Sequence, residues 1–167
     1  MALINEFADA FWFVLPAYFA SISPVWFGLE GKLRMDFEKE FRGKRVFGTS
    51  KTVRGFFGGA LCGTALGALQ QLLFNESNGL VLGLLLGFGA MTGELVKSFF
   101  KRQRGIPPGR PWFPFDQLDF LIGGLAFAAL VETPTLLGVV ILIIITPPLH
   151  ILSNIVDFKL GLKKVPN

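Results

Sequence analysis

The chain has 167 residues, 51% of them apolar and only 17% charged, with a mean hydropathy of +0.55 and a formal net charge of +4. A soluble domain carries about 25% charged residues, and a chain this short has too small an interior to hide so much apolar surface, so a soluble globular domain is excluded and lipid must be the solvent for most of it. The same numbers exclude disorder. The single cysteine, Cys62, excludes a disulfide scaffold and reads as apolar filler.

A membrane-spanning helix needs about 20 mostly apolar residues. Residues 10–29 carry no charge and predict a first helix over 7–29; with no basic flank and no small-residue cleavage pattern, it reads as a retained helix and not a signal peptide. A basic connection, 30–54, follows. It is amphipathic around Phe37, Phe41, Val46 and Phe47 and broken by Gly43 and Gly48, so a short hairpin and an interfacial helix both fit. The charge-free stretch 55–75 predicts the second helix. Residues 77–93 are charge-free but short, and a third helix over 78–100 must take in Glu94 and Lys97. The connection 101–115, with its RGIPPGRPWFP run, is too rich in Pro and Gly to be helical. A fourth helix over 116–132 must borrow Asp116 and Asp119, and a fifth, over 134–158, is apolar for most of its length.

The expected fold is therefore an all-α integral membrane protein, a single polytopic domain over 1–167 with five transmembrane helices. Every Lys and Arg falls in the first connection, in residues 97–110 or in the tail from Lys159 to Lys164, while the N-terminus and the turns 74–79 and 131–135 have none. Because basic loops stay cytoplasmic, the N-terminus is expected outside, with the C-terminus and both long loops in the cytoplasm of a multi-pass cell-membrane protein. Gly55, Gly59, Gly63 and Gly67, like Gly79, Gly83 and Gly87, recur every fourth residue. Such stripes bring helices close; packing within one chain is the first reading, a homodimer seam the second.

Two stretches carry candidate chemistry. In residues 93–124, Glu94, Lys97, Ser98 and Lys101 share one helix face, and Asp116 and Asp119 share another. Ionisable side chains at membrane depth usually face a cavity or a partner. Three carboxylates among many cations suit Mg²⁺ shared with a phosphate ligand, since Mg²⁺ takes oxygen ligands from one or two carboxylates plus substrate phosphates; interfacial salt bridging between helix ends is the plainer reading. In residues 42–59, Gly48, Thr49, Ser50, Lys51 and Thr52 precede a helix N-terminus, which favours anions. This is not a Walker motif, because Thr49 and Ser50 separate the glycine from the Lys-Thr pair. It reads as a cradle for a nucleotide triphosphate or a phospholipid headgroup, against a nonspecific basic anchor. His150, Asn154 and Asp157 align on one helix face, where a lone histidine usually packs. No hydrolytic triad or zinc motif is present.

Gly93-Glu94-Leu95, Ser98, Lys101-Arg102 and Asp116-x-x-Asp119 are similar to the signature of phosphatidate cytidylyltransferases. The stretches KRVFGTSKTVRG and PWFPFDQLDF, with His150, Asn154 and GLKKVP, more closely resemble the smaller family of CDP-archaeol synthases. The Lys-Asp and His-Gly-Gly elements of the phosphatidate enzymes are absent. The resemblance implies transfer of CMP from CTP to an unsaturated isoprenoid ether lipid phosphate, with release of pyrophosphate and a requirement for Mg²⁺. It implies Glu94, Asp116 and Asp119 as metal ligands, with Asp116, Asp119 and Lys101 catalytic. Gly48, Ser50, Lys51, Thr52, Arg54, Lys97, Ser98 and Arg102 are then expected at the nucleotide and phosphates. The expected partners are CTP, the lipid phosphate and membrane lipid, with no nucleic acid. The rivals are a CTP-dependent polyprenol kinase, whose alcohol nucleophile would need a base, and a transporter, for which no inverted repeat is evident.

Overall fold

A computed structural model describes residues 1–27, 31–107 and 109–162. Five helices make up the fold: α1 (Ala2–Trp26), α2 (Val53–Phe74), α3 (Gly79–Gln103), α4 (Phe115–Ala128) and α5 (Leu136–Lys159). Between α1 and α2 lies an antiparallel hairpin of two short strands, β1 (Glu40–Phe41) and β2 (Lys44–Arg45). Of the two readings left open for this connection, the hairpin is the one adopted. Residues 28–30, where the first helix was expected to end, and Lys163 and Lys164 of the expected basic tail lie outside the described residues.

Four of the helices, α1, α2, α3 and α5, are long and apolar enough to cross a membrane. The fourth is shorter than the expected 116–132. At 1.5 Å per residue, its 14 residues reach about 21 Å, against a hydrocarbon core of about 30 Å. Its end has a local cause: the amides of Leu130 and Val131 turn back onto Phe127 and Ala128, ahead of Thr133-Pro134, where a pre-proline residue resists the helical conformation. Conversely, α3 runs three residues beyond the expected 100. Lys101 and Arg102 are good helix formers and sit where the helix dipole favours cations.

The core mixes alanines with a few large side chains, Phe120, Leu86, Leu121 and Leu142, and many more large apolar residues face outward. Ala10, Ala17, Ala20, Ala60 and Ala90 are buried, while Leu61, Leu72, Leu84, Ile144 and Leu152 point outward, the arrangement expected where lipid surrounds the helices. Helices α2 and α3 form an antiparallel hairpin along both glycine stripes. A Cβ on Gly63 would stand 2.9 Å from the Gly87 Cα and 2.9 Å from the Pro16 carbonyl oxygen, so the stripe is a seam within the chain.

Helix α1 pairs in parallel with α5. Glu6 accepts from the Thr135 hydroxyl at 2.6 Å, Tyr18 and Thr146 share a hydrogen bond of 2.6 Å, and Trp26 Nε1 donates to Asp157 Oδ1 at 2.9 Å. Pro16 lies inside α1 and leaves the Trp12 carbonyl without its helical donor. The buried Gln70 of α2 supplies the missing hydrogen bond, its Nε2 2.9 Å from that oxygen.

Candidate active site

Glycine sets the geometry where α3 meets α4. A Cβ on Gly93 would collide with the Asp119 carbonyl oxygen, and one on Gly123 would stand 2.8 Å from the Gly93 Cα. With the backbones that close, Lys97 of α3 reaches both acids of α4. Its Nζ lies 2.8 Å from Asp116 Oδ1 and 3.0 Å from Asp119 Oδ2. One turn on, Lys101 Nζ lies 2.6 Å from Asp116 Oδ2. The Trp112 amide also donates to Asp116 Oδ2, at 2.5 Å, which ties the loop after α3 to the site, and the Arg104 guanidinium covers the Trp112 ring at 4.8 Å.

On the other flank, Glu94 pairs with Lys51 and accepts from the Ser21 hydroxyl at 2.7 Å. Lys51 is held in place because residues 33–35 pair with 51–53: Met35 N donates to the Lys51 carbonyl at 2.9 Å and Val53 N to the Leu33 carbonyl at 3.1 Å. The rest of this connection folds around one buried acid. Asp36 binds Arg45 Nη2 at 2.8 Å and accepts from the amides of Phe47 and Gly48, each at 3.2 Å. Burial pushes the Asp36 carboxyl up, but Arg45 and the backbone amides of Phe47 and Glu38 outweigh it and hold the group below the usual carboxylate range. Gly48, at φ +84°, approaches Arg102 so closely that a Cβ there would stand 3.1 Å from the Arg102 Cδ.

The structure thus brings Glu94, Lys97, Lys101, Asp116, Asp119 and Lys51 to one end of the bundle, and Gly48 to Arg102. Ser98 is buried on the same helix as the lysines. Ser50 and Arg54 are exposed, and no hydrogen bond joins either to the acids among the described residues. Thr52, expected at the phosphates, is buried at the start of α2. It is the N-cap of α2, its side-chain oxygen accepting from Gly55 N at 3.1 Å. The roles of Ser21, Asp36 and Trp112 are not evident from the sequence: Ser21 lies in an apolar helix, Asp36 acts through residues 9 to 12 positions away, and Trp112 acts through its backbone amide on Asp116, which side-chain type does not encode.

The three carboxylates do not converge on one point: among the described residues no three acidic, histidine or cysteine side chains group as a metal site. Lysines stand between them. The Asp116–Asp119 pair nevertheless fits a divalent cation. Asp119 Oδ2 is buried and receives no directed hydrogen bond although Lys97 is near, so an acceptor is spare where two hard oxygen ligands already share one positive charge.

Beside this cluster lies a cavity of about 560 Å³ between α3 and α4. Val96, Phe100, Phe115 and Ile122 form its apolar walls and are themselves exposed on the outside of the bundle, while Lys97 and Asp119 stand at its polar end.

Comparison with known proteins agrees with this architecture. A family model described as CarS-like, CDP-archaeol synthase, matches residues 3–167. A CDP-archaeol synthase of Pyrococcus horikoshii is 44% identical, the alignment covering 98% of each chain. One of Methanocaldococcus jannaschii is 40% identical over 92% of this chain and 93% of its own. A solved structure, described as an intramembrane enzyme for archaeal membrane lipids biosynthesis, superposes with a TM-score of 0.82 at 34% identity, covering 89% of this chain and 94% of the other. The chain belongs to the CDP-archaeol synthase family.

Proposed function

We propose that the protein transfers CMP from CTP to the phosphate of an unsaturated, isoprenoid ether lipid, giving CDP-archaeol and pyrophosphate, at the cytoplasmic face of a membrane crossed by all five helices. The observation that carries this reading is the joining of the charged cluster to the cavity walled by Val96, Phe100, Phe115 and Ile122. A lipid chain lying against those walls brings its phosphate to Lys97 and Asp119. Neither a soluble substrate nor an ion needs such a wall. Family membership favours nucleotidyl transfer over the kinase and transporter alternatives.

The five-span topology rests on the distribution of cations. Asp116 at the start of α4 sits beside the ends of α3, and Thr135 at the start of α5 meets Glu6 at the start of α1. The short α4 and the turn after it together connect the two ends of the bundle.

The reaction joins a lipid phosphate oxygen to the α-phosphorus of CTP and breaks the bond from that phosphorus to the oxygen leading to the β-phosphorus. A phosphate monoester has its second pKa at about 6, so the attacking oxygen is already ionised near neutral pH and no side chain need remove a proton. What the protein must overcome is repulsion between two anions. Three lysines, Lys51, Lys97 and Lys101, are paired with three acids, Glu94, Asp116 and Asp119. When phosphates enter, the lysines can turn to them and leave the carboxylates free. Asp116 and Asp119, with Glu94 on the far flank, would then hold Mg²⁺. When bound, that ion neutralises phosphate charge and supports in-line displacement. Gly48, Ser50 and Arg102 are assigned to the nucleotide phosphates, and Arg54 and Ser98 to the border of the same anion site.

The test is incubation of the purified protein with CTP, Mg²⁺ and an unsaturated ether lipid phosphate, read by mass spectrometry of the lipid. A gain of one CMP is expected. An unchanged lipid phosphate, with a polyprenol offered in parallel gaining one phosphate from CTP, would establish the kinase instead.

A further inference from the structure

We infer that the protein carries a second lipid site, whose headgroup contacts are separate from the reaction centre, at which an anionic glycerophospholipid of the surrounding leaflet binds between the hairpin and α3. The reading rests on the proposed membrane orientation, which puts this end of the bundle at the cytoplasmic interface. A cleft of about 420 Å³ is lined by Phe41, Arg42, Lys44, Phe99, Phe100 and Gln103. On α3, Phe99 and Gln103 each lie two residues beyond Lys97 and Lys101, roughly 200° around the helix, so these two lining residues face away from the Lys97–Asp116–Asp119 cluster, while Phe100 stands between the cleft and the cavity beside that cluster.

The hairpin sorts its charges by face. Successive side chains of a strand point to opposite sides, and the register pairs Phe41 with Lys44 and Glu40 with Arg45. Phe41 and Lys44 therefore face α3, where Phe41 meets the Phe99 ring at 5.8 Å. Glu40 and Arg45 face away, and Arg45 is consumed by Asp36. The cleft is left with cations and aromatic rings and no acid among its lining residues.

Two further features point to an anionic occupant. The side-chain amide nitrogen of Gln103 is shielded and has no hydrogen-bond partner among the described residues, a donor waiting for an acceptor. The hairpin turn is made by Arg42 and Gly43, both in the left-handed region at φ +54° and +70°. Such a two-residue turn favours Asn-Gly, so an arginine there is a local cost that the turn itself does not require. Arg42 stacks over Phe41 at 5.3 Å and donates no hydrogen bond among the described residues, which leaves its guanidinium available. Lys44 already donates to the Gln103 carbonyl at 2.8 Å, bringing the two donors together. The exposed Phe41, set against the Phe99 ring at 5.8 Å, offers the apolar surface that a lipid chain needs and an inorganic anion does not. Basic pockets beside membrane helices bind lipid headgroups in this way.

The test is native mass spectrometry of the intact protein, released from neutral detergent after incubation with phosphatidylglycerol or phosphatidylcholine. The parent should retain phosphatidylglycerol about tenfold more than phosphatidylcholine, and Arg42→Asn with Lys44→Gln should remove that preference. Arg42→Asn alone keeps a residue the turn favours, so it should fold normally and still lose most of the retention. Undiminished phosphatidylglycerol retention in Arg42→Asn, or equal retention of the two lipids by the parent, would overturn the site. Displacement of the lipid by millimolar inorganic phosphate would mean a free-anion site and would also overturn it. CTP turnover of the same variants in detergent reads the reaction centre separately and should be unchanged.

Discussion

Lys97 holds Asp119 across the contact between α3 and α4, its Nζ 3.0 Å from an oxygen that receives no directed hydrogen bond. That one ammonium also binds Asp116. Removing it should do two things at once. Lys97→Met takes from Asp116 and Asp119 the one ammonium that pairs with both, and loss of one partner from a buried charge pair costs about 3–5 kcal/mol. A clear fall in melting temperature with loss of turnover is expected. A stable, active Lys97→Met protein would show that the lysine is peripheral.

Gly63 should matter for assembly. The added side chain of Gly63→Leu meets backbone on two sides, at Gly87 and Pro16, and overpacking typically costs about 1–3 kcal/mol even where side chains can give way. Here the obstacle is backbone, so poor extraction or a lowered melting temperature is expected. A variant of normal stability with lost activity would mean that the stripe faces substrate.

Asp36 gives the first connection an acid-sensitive clasp. Its folded pKa is depressed, so its stabilising contribution is present above the unfolded value and disappears as pH falls through the folded one. Hydrogen exchange at Phe47 and Gly48, whose amides it accepts, should stay slow from neutral pH down to the usual carboxylate range and quicken below it. Asp36→Asn should weaken this clasp at neutral pH by about 1–3 kcal/mol and flatten the pH dependence. Slow exchange at those amides in the variant would show that the hairpin holds without the acid.

His150 is predicted to be a packing residue. Its ring stacks on Phe120, centroids 6.1 Å apart, and its Nδ1 lies 3.3 Å from Asn154 Nδ2. If the lipid phosphate attacks as a dianion, kcat/KM should rise around a pKa of about 6 and level off through neutral pH. The rising limb should survive His150→Gln with Mg²⁺ saturating. Its disappearance would identify the histidine as a general base.

The charged pairing between α3 and α4 was legible because helical spacing alone puts Glu94, Lys97 and Lys101 on one face and Asp116 with Asp119 on another. What spacing could not supply was the partner of each group. Shared Mg²⁺ and salt bridging between helix ends both fit the acids by spacing alone; that Lys97 stands between two of them and Lys51 beside the third is a tertiary fact. A glycine, hydroxyls and a lysine before a helix N-terminus suggest an anion cradle, but the same position lets Thr52 cap α2, which spacing alone does not reveal. The hairpin stayed ambiguous because its strands are two residues long and its turn is Arg-Gly. The role of Gln70 was invisible: nothing local says that a proline 54 positions earlier has freed a carbonyl for it.

The Lys97–Asp116–Asp119 cluster is proposed to move a cytidylyl group and not a terminal phosphate. Parallel assays with CTP labelled at the α- or the γ-phosphate, run on the parent and on folded Asp119→Asn, test it most directly. α-Label is expected in the lipid, γ-label in released pyrophosphate, and a fall of about 100-fold or more in Asp119→Asn, the scale of losing one preorganised electrostatic group. Label from the γ-phosphate in the lipid, or an Asp119→Asn protein as fast as the parent, would contradict it.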